Sequence, residues 1–130
     1  MRVIGEDFEL FWVSDERGEV WRLSKALQER LSLSHATHYR DVMVSVHPRD
    51  RAKVSNKLAH AHENHKGIDV AFQVWLPENG VFARAKLVGW PRFVNGRFIG
   101  HIGFWRIKLP SFGLVSAAAN LFLGAWLTFF

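Results

Sequence analysis

Two Asn-Gly dipeptides constrain this chain more than any other feature. Asn79-Gly80 and Asn95-Gly96 separate three strand-like runs within residues 68–107. Asn and Gly tolerate the positive φ angles of tight turns, so an Asn-Gly between alternating runs predicts a hairpin. In the first run Val70, Phe72, Val74 and Leu76 share one parity, while Asp69, Gln73 and Trp75 take the other. In the second, Val81, Ala83, Ala85 and Leu87 stand opposite Arg84 and Lys86. A period of two marks a sheet with one buried face. The third run, residues 98–107, is apolar on both parities, which suits a central strand or one covered twice. The pattern predicts a three-stranded meander at the centre of the fold.

A chain of 130 residues can bury one hydrophobic core but not a second. Its net charge is +5, from 17 Lys plus Arg against 12 Asp plus Glu. The cations are scattered, whereas a nucleic-acid footprint wants a dense stripe with interleaved aromatics, so no nucleic acid is expected as a partner. The absence of cysteine excludes disulfides, thiolate catalysis, Cys-based zinc sites and cysteinyl photoadducts. Glu6, Asp7 and Glu9 interrupt the first ten residues, so no secretory signal is expected there.

Before the meander, residues 8–13 and 19–23 read as a strand pair across the turn 14–18. Ser24 is placed to cap a short helix over residues 25–31, with Gln28 or Glu29 near the capping-box position. Residues 32–46 carry no clear period, and 39–44 fit either a short helix or an extended connection. His47-Pro48-Arg49-Asp50 opens a longer helix, with Pro in the first turn and Asp50 at the positive dipole end. Val54, Leu58 and Ala61 fall on one face of it, and His65-Lys66-Gly67 closes it with a Gly stop. The predicted fold is α+β, a five-stranded antiparallel sheet with flanking helices.

That order, with these residues, resembles a PAS domain over residues 8–107. The carriers are Asp15-Glu16-Arg17-Gly18-Glu19-Val20 after the opening strand and Val46-His47-Pro48-Arg49-Asp50-Arg51 at the long helix. Leu76-Pro77-Glu78-Asn79-Gly80-Val81-Phe82 at the first hairpin and residues 95–103 in the last strand complete them. The resemblance implies a sensory or interaction fold and says little about ligand or output. The chain departs from the family in three places. Trp105-Arg106-Ile107 stands where members often carry the Asp-Ile-Thr that couples sheet to output helix. Leu23-Ser24 replaces the usual Asn after the second strand, and the cysteine of light-sensing members is missing.

The tail needs its own explanation. No charged residue follows Lys108, and residues 111–130 are twenty in a row without charge. A helix of that length spans about 30 Å, the thickness of a bilayer's hydrocarbon core. Arg106 and Lys108 just before it, and Trp126, Phe129 and Phe130 near its far end, suit interfacial anchors. The positive-inside rule then places the folded part in the cytoplasm. Ser116, Asn120, Gly124 and Thr128 recur every four residues as a small, polar stripe on which another membrane helix can pack. The competing assignment is a soluble helix over the sheet, but its other faces, Phe112, Leu114, Val115, Leu121, Phe122 and Leu123, have no solvated side.

Candidate chemistry is sparse. His60, His62 and His65 lie on or beside the long helix; His62 and His65, three apart, share a face without a fourth ligand. Some PAS domains bind haem through a His on this helix, which makes His60 and His62 the haem candidates by resemblance. His47 fits a helix-start role better than a catalytic one. No Ser-His-Asp spacing, carboxylate pair, Walker loop or dinucleotide fingerprint is present, and Gly100 and Gly103 read as close-packing positions. Six Trp and eleven Phe suggest core or interface, with Trp75 and Trp90 as the interface candidates.

The expectation is therefore a non-enzymatic PAS-like domain over residues 1–108, tethered by a single transmembrane helix over 109–130. It would be an accessory or regulatory subunit of an inner-membrane complex, partnered through that helix, with a homodimer also open. No cofactor or metal is called for. The alternative is a PAS sensor that binds a ligand or cofactor and signals through a partner in trans.

Overall fold

The structure, a computed structural model, describes residues 10–110. In chain order these form β1 (Phe11–Ser14), β2 (Val20–Leu23), α1 (Lys25–Leu31), β3 (Ala36–His38), α2 (Tyr39–Ser45), a 3-10 turn (Pro48–Asp50), α3 (Arg51–Asn64), β4 (Ile68–Leu76), β5 (Val81–Val94) and β6 (Arg97–Lys108). The strands make one sheet in the order β3-β2-β1-β6-β5-β4, antiparallel at every pairing. The last strand thus lies between the first and the fifth, the central place that its apolar pattern predicted.

The sheet has six strands, not five. The addition is β3, three residues on the edge beside β2 with only Thr37 buried. Three residues are too few to display a period, so nothing in residues 32–46 announced it. Residues 39–45 are helix, begun by the His38 ring, whose Nδ1 accepts from the Arg40 N–H at 3.0 Å.

The meander has the expected facing. Val70, Phe72, Val74, Leu76, Ala83, Ala85 and Leu87 are buried, while Arg84, Lys86 and Trp75 are exposed. Its two turns differ. Asn95 and Gly96 both have positive φ, 52° and 79°, as a two-residue type I′ turn requires. At the other, only Gly80 is left-handed, and Asn79 and Gly80 both donate backbone N–H groups to Leu76 O, so Pro77 to Gly80 form a four-residue loop.

Ser24 caps α1 as predicted, its hydroxyl accepting from Leu27 N–H, but Gln28 does not close a capping box; its amide donates to Leu23 O at 2.9 Å. The start of α3 also differs. Asp50 makes no cap, and its Oδ2 instead accepts from Gln73 N–H at 2.8 Å, tying the helix to edge strand β4. His47 Nδ1 accepts from Arg49 N–H at 3.0 Å, the helix-start role that the sequence favoured. The left-handed residue that ends α3 is His65, φ 51°, and not Gly67.

Helices and sheet enclose a core dominated by three indoles, Trp12, Trp21 and Trp105, each at most 1% exposed. Trp12 and Trp21 stack with ring centroids 4.3 Å apart, a pairing worth about 0.5–1.5 kcal/mol beyond burial alone. Glycines make room for Trp12. It pairs with Gly103, which faces Gly89 across β5 and β6, and a Cβ on Gly89 would lie 2.6 Å from the Trp12 ring. Gly100 (φ 120°) likewise lies so close to the Ser14 carbonyl that no side chain fits. Gly100 and Gly103 are close-packing positions.

Candidate functional site

The stacked pair Trp12 and Trp21 also forms one wall of a cavity of about 300 Å³, the small end of the range for small-molecule sites. Four parts of the chain converge on it. Helix α3 contributes Ser55, Leu58 and His62; Tyr39 comes from α2; Gly18 lies in the β1–β2 turn; His101 projects from β6. Arg17, Glu19 and Glu63, all exposed, supply its charged rim. The helix brings Ser55, Leu58 and His62 together because residues three and four apart share a face.

Few polar atoms line the cavity, and most are committed. Tyr39 Oη and Ser55 Oγ are 2.6 Å apart. Trp12 Nε1–H donates to Val88 O at 3.1 Å and Trp21 Nε1–H to Gly18 O at 3.4 Å. His101 is buried; its backbone N–H donates to Ser14 Oγ at 2.9 Å, and its Nε2 lies 2.7 Å from Lys66 O. Burial pushes the His101 pKa below 6.5, the Lys66 carbonyl pulls the other way, and neighbouring His62 and His65 lower it further. A neutral ring meeting a carbonyl must donate from Nε2, which leaves Nδ1 as its acceptor.

Phe98 gathers the histidines. Its ring stacks on His65 at 4.1 Å and meets His62 and His101 edgewise, each at 5.4 Å. Among the described residues no group of three His, Asp or Glu side chains is placed to hold a metal ion. The arrangement is an aromatic slot with one neutral imidazole acceptor and a shared Tyr-Ser hydroxyl pair. It suits binding of a small, flat molecule.

The two haem candidates part company here. His62 lines the cavity with its ring under Gly18, whereas His60 is exposed over a shallow hollow beside Lys57 and Gly67. Arg106 and Lys108 are exposed at the end of β6. Ser116, Asn120, Gly124, Thr128 and Trp126 lie outside the described residues, and among those described no helix is long and apolar enough to cross a membrane. Sequence reasoning missed His101. Its signal was a lone His in an apolar central strand, but only the strand order shows that it meets α3.

The sequence matches no protein-family model and no curated protein. Solved structures do match. The N-terminal domain of a diguanylate cyclase with PAS/PAC sensor from Marinobacter aquaeolei superposes with a TM-score of 0.65 at 16% identity, over 75% of this chain and 93% of that one. A sensory box histidine kinase/response regulator from Burkholderia thailandensis gives 0.60 at 19% identity, over 86% and 85%. The PAS domain of BvgS from Bordetella pertussis gives 0.53 at 16%, over 93% of each. The fold is that of a PAS domain. The sequence resemblance implied that fold.

Proposed function

We propose that this protein is a non-catalytic PAS module tethered to the inner membrane, with residues 1–108 as the cytoplasmic domain and 109–130 as a single transmembrane helix. It acts as an accessory or regulatory subunit of an integral membrane complex, joined to other subunits through the stripe of Ser116, Asn120, Gly124 and Thr128. The observation that carries this reading is the run of 22 residues without charge after Lys108. The three core indoles support a partner-binding role over a cofactor-binding one, since they occupy the interior that a large cofactor would need. Membrane fractionation of the full chain with carbonate washing is the test: a spanning tail resists extraction, and release into the wash overturns the reading.

The cavity supports a second reading, a sensor for a small aromatic or heteroaromatic molecule that signals in trans. Its test is native mass spectrometry of the full chain purified in mild detergent. A retained small molecule, lost when Tyr39→Ala opens the slot, supports it.

A further inference from the structure

Strand register places like charges opposite one another. On the sheet face away from the helices, Arg84 of β5 pairs with Lys108 of β6, and Lys86 with Arg106. Side chains so placed lie about 4.5–5.5 Å apart at Cβ, and like charges there are destabilising. All four are exposed, and among the described residues Asp69, 3.4 Å from Lys86, is the one carboxylate in an ion pair with them. The four cations line a shallow groove, and Arg49 and Lys53 extend it past the β4 edge. Lys53 has Asp50 Oδ1 at 3.9 Å, while the other oxygen of that carboxylate accepts from the Gln73 N–H.

Exposed aromatics flank the cations on the same face. Trp75, 39% exposed, pairs with Phe82 on one side, and Trp90, 52% exposed, pairs with Ile102 on the other. This face ends where the charge-free run begins. From Lys108 to residue 111 is at most about 10 Å of extended chain, comparable to a Debye length at moderate salt.

We infer that this outer sheet face is a docking surface for anionic phospholipid headgroups, laying the sheet on the cytoplasmic leaflet beside the inserted tail. The inference rests on the tethered reading above and adds to it an orientation and a lipid class. Paired cations, of which only Lys86 has a carboxylate partner among the described residues, gain most from a dense anionic surface, each contributing to attraction near the membrane. Tryptophans beside them suit the headgroup layer. The short linker favours a membrane over a nucleic acid, because it holds the face where a spanning tail would enter the bilayer.

The test reconstitutes the full chain into phosphatidylglycerol-containing and phosphatidylcholine vesicles and follows amine labelling of each lysine. Lys86 and Lys108 should label roughly fivefold or more slowly on the anionic vesicles, an effect lost at high salt, while Lys25 and Lys57 are unchanged. R84Q/R106Q, which keeps both reporter lysines, should lose that protection and unfold no more easily than the parent. Equal labelling of Lys86 and Lys108 on the two lipids overturns the proposal. So does protection by single-stranded RNA with none by anionic vesicles. A parallel carbonate wash separates the two readings. Resistant chain with unprotected lysines sinks the face and keeps the tail, and protected lysines on extractable chain do the reverse.

Discussion

His101 is the residue on which the cavity and core meet. Burial keeps its ring neutral in the fold, against the pull of the Lys66 carbonyl and with help from His62 and His65. An unfolded chain protonates the same imidazole near 6.5, so below that pH the unfolded state takes up a proton that the folded state resists. The stability from neutral His101 is complete above that value and is lost as pH falls through the lower folded one. Thermal unfolding followed from neutral to mildly acid pH should show Tm falling, and His101→Phe should flatten that fall. The variant should also cost about 1 kcal/mol by removing the donor to Lys66 O. An unchanged slope would remove His101 as the cause. Neighbouring Gly103 makes a second residue-scale test. Gly103→Ala drives a methyl into the Val88 carbonyl and should cost about 1–3 kcal/mol in chemical denaturation, unless the strands part to relieve it.

Among the elements, the start of α3 and the two hairpin loops show how far local signals reach. The His-Pro-x-Asp stretch marked a helix start, but Asp50 serves a longer connection by accepting from Gln73 N–H on β4. Asp50→Ala should therefore cost about 1.5–3 kcal/mol, the range for a hydrogen bond to a charged group. A cap lost at an exposed helix end typically costs about 1 kcal/mol, so a urea midpoint separates the two roles. The Asn-Gly signals were correct about hairpins and silent about loop length. Gly80 and Gly96 are both left-handed, so Gly80→Ala and Gly96→Ala should each cost about 1 kcal/mol. Helix termination misled in the other direction, because His65 takes the left-handed position and stacks on Phe98, leaving Gly67 to pass close to Gly89.

Across the whole molecule, the outer face predicts a response to salt. Screening weakens the Arg84–Lys108 and Lys86–Arg106 repulsions more than it weakens the single Lys86–Asp69 pair, so added salt should raise Tm. The R84Q/R106Q variant should lose most of that rise, and an equal rise in both would place the effect elsewhere. Alternation and turn chemistry made the meander, its buried face and the long helix readable, because each depends on residues within a few positions of one another. The same local character made the charge-free tail readable as composition. Pairings across long stretches of sequence were not readable: the three-residue β3, the first strand beside the last, His101 against Lys66, and cations facing cations. The sequence by itself determined which residues are apolar, in what period, and where the chain must turn. Only tertiary structure decided which of them meet, because strand order and register depend on contacts such as Trp12 over Gly89 and Gly103, Trp21 on Trp12 and Trp105 on Phe72, an energy shared among residues far apart in the chain.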